Sequence, residues 1–118
     1  MTWLVVFLGG GLGSITRYAV SIFITSYYNH QLPLATTLSN VLSCVILALV
    51  VSNSQGFQLD EKLVKAALVI GFCGGFSTFS TFSYETIQLI KNGNLLVAVG
   101  NVIISVVVCL ILLHKLTK

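Results

Sequence analysis

Charged residues are scarce in this chain of 118 residues. They make up 8% of the sequence, whereas roughly a quarter of an average soluble domain is charged. Hydrophobic residues make up 56%. A chain with so few charged residues cannot cover a soluble fold with polar surface. The composition therefore excludes an ordinary soluble domain and predicts a membrane protein.

Other absences exclude further classes. The net charge of +3 is small and scattered, and no basic patch with interleaved aromatic residues indicates nucleic-acid binding. No nucleophile, base and orienting group can be assembled from the residues present, so we do not expect an enzyme. The cysteines have no CxxC spacing and fall in separate apolar runs, which favours small buried hydrophobic residues over disulfides or metal ligands. They are Cys44, Cys73 and Cys109.

Four apolar runs are each long enough to cross a bilayer, which takes about 20 helical residues. They cover roughly residues 3–27, 32–51, 63–90 and 95–113. The predicted fold is therefore an all-α membrane protein, a single four-helix domain over residues 1–118. An even number of spans puts both termini on one side. The lysines Lys62, Lys65, Lys115 and Lys118 share that side, against Lys91 opposite, which favours cytoplasmic termini.

The third run contains a stretch that an apolar helix does not need, GFCGGFSTFSTFSY over residues 71–84. Glycine weakens a helix, and in hydrocarbon the freed backbone groups must find partners or line a cavity. We therefore predict a broken helix, with the backbone unwound from Gly74 to Thr78. Phe76, Phe79 and Phe82 recur on one face, and hydroxyl residues occupy the neighbouring face. The alternative is that these phenylalanines only pack, and that the hydroxyls bond carbonyls one turn earlier.

The other spans carry isolated polar groups. In the first, Gly9 and Gly13 have the spacing that lets helices approach closely. Arg17 is a basic residue inside an apolar span, so it either faces a water-filled vestibule or reaches back to the interface. Glu85 is the only acid inside a span, and it is either a vestibule residue or interfacial. The lone loop histidine, His30, is assigned no ligand role.

Amides and hydroxyls concentrate in the second and fourth spans. Thr36, Asn40 and Ser43 share one face by their spacing, and Asn101 and Ser105 share another. An amide in hydrocarbon must be satisfied by another helix or by a ligand, so Asn40 is either a lining residue or a link between helices. Neutral donors and the positive edges of phenyl rings suit a small hydrated anion, whereas unwound carbonyls suit a cation such as Na⁺.

The run GFCGGFSTFSTFS over residues 71–83 resembles the signature of the bacterial CrcB/Fluc fluoride channels. The first span resembles that family's first-helix motif through its glycines, Arg17 and Tyr18, and Asn40 stands where the family has its second-helix asparagine. The resemblance covers all four spans. Ala35 and Ser43 replace glycines of the family pattern, and Asn101 stands where a tyrosine is common, so helix packing and the polar track are expected to differ in detail.

The resemblance implies an antiparallel, dual-topology homodimer in the bacterial plasma membrane that exports fluoride passively. The lysine asymmetry also leaves room for an oppositely oriented homologous subunit as the partner. The implied fluoride-pathway residues are Asn40, Phe79, Phe82, Ser80, Thr81, Ser105 and Thr36, with Arg17 and Glu85 in a vestibule. Backbone carbonyls of Gly74 and Ser77 are implied to hold a structural Na⁺ at the dimer centre.

Two other functions compete with a fluoride channel. A small dual-topology multidrug/proton antiporter needs an embedded glutamate in its first span, and residues 3–27 contain no acid. A non-transporting assembly subunit would use the same glycines and hydroxyls only for helix packing.

Overall fold

A computed structural model describes residues 1–28 and 33–117 of the chain. The predicted loop around His30 and the start of the second span at residue 32 lie outside these ranges. The described part is all-helical, and four of its segments are long and apolar enough to cross a membrane. They are Thr2–Tyr27 (α1), Leu34–Ser52 (α2), the third segment Glu61–Lys91, and Leu95–Leu116 (α6).

The third segment is bent and is built from several pieces. Helix α3 (Glu61–Val64) runs into a π-helix (Lys65–Cys73) and then into α4 (Gly74–Phe76). Ser77 and Thr78 have extended backbone, with φ/ψ of −81°/156° and −150°/122°. Helix α5 (Phe79–Lys91) follows. The prediction of unwound backbone from Gly74 was wrong in its position, because both Gly74 and Gly75 are helical.

Two acidic residues stabilise the start of the third segment. The Asp60 side chain accepts a hydrogen bond from the Lys62 N–H at 3.0 Å, which caps α3. Glu61 forms an ion pair with Lys65 at 2.7 Å, one turn later on the exposed surface.

Glycines bring the first and third segments into backbone contact. A Cβ atom on Gly9 would lie 2.2 Å from the Ala67 carbonyl oxygen, and one on Gly13 would lie 2.2 Å from that of Phe72. From the other side, a Cβ on Gly75 would lie 2.4 Å from the Gly10 carbonyl oxygen. The predicted close packing at Gly9 and Gly13 is therefore confirmed, and Gly71 and Gly75 of the third segment serve the same contact.

The second and fourth segments pack together along their length. Ala48 and Ala98 are almost fully buried, and Ser52 donates a hydrogen bond to the Leu116 carbonyl at the helix ends. Large apolar side chains, among them Trp3, Phe7 and Ile104, stay exposed on the outer faces. Exposed apolar surface on all four segments fits a chain whose solvent is lipid.

We expect Gly13→Val to destabilise the protein by at least about 1–3 kcal/mol, because its side chain would push α1 away from the Phe72 backbone. The measurement is the midpoint of thermal unfolding in detergent, together with the monodisperse fraction.

The matched control is Gly11→Ala, at a position with no heavy atom within 4 Å of the added Cβ. That substitution should raise helix stability by about 0.5–1 kcal/mol. Equal unfolding midpoints for Gly13→Val and the parent chain would contradict the packing argument.

Candidate functional site

Asn40 of α2 holds the extended backbone of the third segment. Its Oδ1 accepts a hydrogen bond from the Thr78 N–H at 2.8 Å, and its Nδ2 donates to the Thr78 carbonyl at 3.3 Å. Thr78 is only 8% exposed. A side-chain amide has the donor and acceptor pattern of a peptide group, so Asn40 satisfies the two backbone groups that a helix would otherwise bond internally.

The Thr78 side chain caps the helix that follows. Its Oγ1 accepts a hydrogen bond from the Thr81 N–H at 3.2 Å and donates to Thr81 Oγ1 at 3.2 Å. The Ser80 hydroxyl lies 3.3 Å away. Helix α5 therefore begins inside the membrane segment, and its N-terminal end carries a partial positive charge surrounded by hydroxyls.

The same arrangement takes the usual helical donors away from the Gly74 and Ser77 carbonyls. In a continuous helix the Thr78 N–H would donate to the Gly74 carbonyl, but it donates to Asn40. The Thr81 N–H, which would donate to the Ser77 carbonyl, bonds Thr78 Oγ1. The Cys73 carbonyl, by contrast, accepts from the Ser77 N–H, the Ser77 hydroxyl and the Ser43 hydroxyl at 3.0, 2.7 and 3.0 Å.

A polar cavity of about 270 Å³ lies on one side of Thr78, between the first, second and third segments. Thr36 Oγ1 donates to Glu85 Oε1 at 2.7 Å within it. Two buried oxygens have no hydrogen-bond partner among the described residues, Glu85 Oε2 and Ser39 Oγ. Its lining comprises Ser14, Arg17, Tyr18, Ser21, Ala35, Thr36, Ser39, Thr78, Thr81 and Glu85.

An aromatic cleft of about 310 Å³ lies on the other side of Thr78. The Phe79 and Phe82 ring centroids are 5.8 Å apart, and Phe79 is 79% exposed. The lining comprises Asn40, Cys44, Ser77, Thr78, Phe79, Phe82, Ser105, Val106, Cys109 and Leu110. Thr78 therefore borders both the polar cavity, which Arg17 and Glu85 line, and a cleft that two phenyl rings line.

Asn101 links three segments behind the cleft. Its Oδ1 accepts hydrogen bonds from Thr37 at 3.0 Å and from Ser105 at 3.5 Å, and its Nδ2 donates to Thr86 at 3.1 Å. Asn101 and Ser105 are buried on the same face of α6, as their spacing predicts. The amide therefore joins α2, α5 and α6 through side chains alone.

Sequence comparison identifies the fold family. Residues 4–115 match the family model described as CrcB-like protein, Camphor Resistance (CrcB). The chain belongs to the CrcB family. Relatives named "Fluoride-specific ion channel FluC" occur in several bacteria. The CrcB chain is 39% identical to one from Leptospira interrogans over 88% of this chain and 82% of the relative.

Two further relatives carry the same name. The protein of Geotalea daltonii is 38% identical over 91% of the CrcB chain and 88% of its own length. That of Gloeothece citriformis is 42% identical over 86% and 82%, respectively. The similarity thus covers nearly the whole length on both sides.

The predicted site residues of the CrcB chain separate into two groups. Thr36, Thr81, Arg17 and Glu85 line the polar cavity, whereas Asn40, Phe79, Phe82, Ser77 and Ser105 line the aromatic cleft. Ser80 bonds the Thr78 side chain from an exposed position, and Gly74 is exposed at the first position of α4.

The grouping of Phe76 with the later phenylalanines was wrong. Phe76 is 2% exposed and packs edge-on against Phe72, with ring centroids 5.6 Å apart. Both residues precede the extended pair Ser77 and Thr78. The extended residues reset the helical phase, so the spacing of three does not continue across them. Sequence reasoning also missed Ser39, although its place three residues after Thr36 on a polar helix face was a usable signal.

We expect Asn40→Ala to destabilise the CrcB chain by about 1–3 kcal/mol, because it leaves the buried N–H and carbonyl of Thr78 without partners. Thermal unfolding in detergent measures the loss. The control is Asn53→Ala, whose amide donates only to Leu49 of its own helix at an exposed site. Equal unfolding midpoints for the two variants would show that the Asn40 amide does not hold the third segment.

Proposed function

We propose that this protein is a fluoride-selective ion channel that exports cytoplasmic fluoride passively across the bacterial plasma membrane. The observation that carries the proposal is the position of Thr78, which borders both the polar cavity and the aromatic cleft and is held by Asn40. The names of the relatives support the choice of ion.

The chemistry of the two spaces suits a small, strongly hydrated anion. Arg17 supplies positive charge in the polar cavity, and Thr36, Ser39 and Thr81 supply hydroxyls there. Past Thr78, the rings of Phe79 and Phe82 can offer their positive edges. An anion that leaves water would exchange its hydration shell for hydroxyl, amide and ring-edge contacts.

Among the described residues that line the polar cavity, Glu85 is the one acid. Thr36 donates to Glu85 Oε1, which fixes one carboxylate oxygen at the α2–α5 contact. Glu85 Oε2 is buried and has no hydrogen-bond partner among the residues that the structure describes. We propose that Arg17 and Glu85 form the vestibule, where the arginine attracts the anion and the carboxylate keeps the anion from resting there.

We further propose that the third segment works as two half-helices and that the active form is an antiparallel dimer. The largely exposed Phe79 ring and the open aromatic cleft are surfaces that a second, inverted copy would cover. Two such copies would form two equivalent pathways. An oppositely oriented homologous subunit would meet the same surface.

The backbone beside the cleft fits the implied structural Na⁺. The Gly74 and Ser77 carbonyls are those whose helical donors, the Thr78 and Thr81 N–H groups, bond Asn40 and Thr78 Oγ1 instead. Gly74 is exposed, so its carbonyl can face a second copy. Gly74 and Ser77 from both subunits would together hold the ion, which supplies a fixed positive charge that ties four carbonyl oxygens together.

Passive export follows from the acid–base chemistry of fluoride. Neutral hydrogen fluoride crosses lipid and dissociates in the less acidic cytoplasm, which traps the anion. A pathway open to fluoride then lets it leave down its electrochemical gradient, helped by the negative-inside potential. This process requires neither ATP nor a proton-carrying carboxylate at mid-membrane.

A fluoride-selective electrode on reconstituted liposomes tests the proposal and separates the three candidate functions. A channel releases fluoride without a drug or a proton gradient. An antiporter would instead couple proton flux to a cationic drug, and a non-transporting subunit would release nothing.

We expect Phe79→Ile and Phe82→Ile each to abolish fluoride efflux while leaving the protein folded, because an aliphatic side chain has no positive ring edge. The control is Phe23→Ile on α1, where the ring contacts Tyr27 at 5.1 Å, away from both spaces. Efflux equal to that of the parent chain in both cleft variants would remove the two rings from the pathway.

Replacing Na⁺ on both sides of the liposome by a bulky organic cation should lower fluoride efflux and the dimer fraction together. Both follow if carbonyls of two subunits share the ion. Cross-linking in matched buffers reads the dimer fraction. Unchanged efflux and unchanged cross-linking without Na⁺ would exclude the ion from the dimer centre.

A further inference from the structure

Two thiols of the aromatic cleft belong to different membrane segments. Cys44 lies on α2 and Cys109 on α6, and both line the cleft as free cysteines. Both thiols belong to the lining of one space of about 310 Å³. Each is partly exposed, so the pair is accessible from the cleft in the single chain.

The register of the two helices explains why both thiols lie at the cleft. Cys44 follows Asn40 by four residues and Cys109 follows Ser105 by four, so each cysteine lies one helical turn beyond a cleft residue. Cys109 Sγ lies 3.8 Å from the Asn40 carbonyl oxygen. The sulfur of α6 is therefore seated against the turn of α2 that runs from Asn40 to Cys44.

We propose that Cys44 and Cys109 form a binding site for a soft, two-coordinate cation, such as Hg²⁺ or Cu⁺, which bridges α2 and α6 beside the aromatic cleft. Thiolates select soft cations, and two ligands complete the shell of a cation that prefers linear coordination. Zn²⁺ needs about four ligands. Among the described residues, no group of three or more His, Cys, Asp and Glu side chains could hold a metal ion.

Binding is an exchange of protons for metal. With Hg²⁺, each thiol loses its proton and each sulfur forms one bond to the metal, so one ion and two thiols give one bridge and two released protons. No electrons are transferred. Cys73, the third thiol, is almost fully buried and is not among the residues that line the cleft.

The bridge would lie where it obstructs the cleft. It would fix Cys44 one turn from Asn40 and Cys109 one turn from Ser105, and it would add a heavy atom to a space of about 310 Å³. This effect on transport rests on the proposed fluoride function, whereas the binding of the cation does not.

The test uses the full chain with Cys73→Ala, which leaves only the two thiols, and Hg²⁺ as the probe. After one equivalent of Hg²⁺, the remaining free thiols of the folded protein are counted in detergent, without denaturant, with a chromogenic disulfide reagent. We expect one ion to remove both thiols. A count in which each bound ion removes only one thiol would overturn the bridge.

Cysteine variants and efflux measurements distinguish the Cys44–Cys109 bridge from nonspecific inactivation by Hg²⁺. Cys73→Ala/Cys44→Ala should lose one thiol per ion, and the variant without any cysteine should bind no ion. In liposomes, Hg²⁺ should slow fluoride efflux through Cys73→Ala by about tenfold or more, with recovery after an excess of a small dithiol. The cysteine-free variant should show the same efflux with and without Hg²⁺.

The outcomes for binding and transport are distinguishable. If no variant releases fluoride before Hg²⁺ is added, the proposed function fails, and the thiol count still decides the site. If the count shows a bridge and efflux through Cys73→Ala is unchanged, obstruction of the cleft is overturned.

Discussion

The paired hydrogen bonds between the Asn40 amide and the Thr78 backbone are the interaction on which the arrangement of the site depends. Extended backbone inside a membrane segment requires a partner for each N–H and carbonyl, because lipid offers none. The Asn40 side chain supplies a donor and an acceptor at once, at 3.3 and 2.8 Å. With these groups satisfied, the third segment can leave the helix at Ser77 and resume it at Phe79.

That short extended stretch has three structural consequences. It turns Phe79 and Phe82 out of phase with Phe76, so two rings face the cleft while the third is buried. It starts a new helix within the membrane segment, capped by Thr78. It also diverts the donors that would close on the Gly74 and Ser77 carbonyls.

The contact between the first and third segments holds the helical part of the third segment that precedes Ser77. Gly9 and Gly13 let α1 approach the backbone of the π-helix and α4, and Gly75 does the same in return. The glycine-rich run therefore serves packing, and the departure from helix comes two residues after it, where Asn40 reaches the backbone. Helical glycine is tolerable here because neighbouring backbones fill the space that side chains would occupy.

Hydrogen bonds between side chains, most of them uncharged, make further links between the segments. Asn101 joins α2, α5 and α6, and Thr36 ties Glu85 to α2. These links replace what a soluble protein obtains from burial of apolar surface, since helix association in lipid gains nothing from excluding water. Ser39 and Glu85 both line the polar cavity, and their buried Oγ and Oε2 atoms have no hydrogen-bond partner in the part of the chain that the structure describes.

The sequence by itself determined the membrane class, the four helical segments, the close approach at Gly9 and Gly13, and the residue types around the third segment. These follow from composition and from the period of a helix, which are local properties. It could not fix which residues leave the helix. Gly74 and Gly75 have the weaker intrinsic helix preference, but Ser77 and Thr78 are the extended ones, because the competing partner comes from α2, 38 residues earlier.

Contacts between helices also decide how the two spaces around Thr78 are formed. Helical spacing places Thr36, Asn40 and Ser43 on one face of α2, yet Thr36 bonds Glu85, Asn40 bonds Thr78, and Ser43 bonds the Cys73 carbonyl. Only the packing of all four segments separates a polar cavity from an aromatic cleft and places Cys44 and Cys109 in the lining of the same cleft. Contacts between helices depend on their relative rotation and distance, and a local sequence pattern constrains neither.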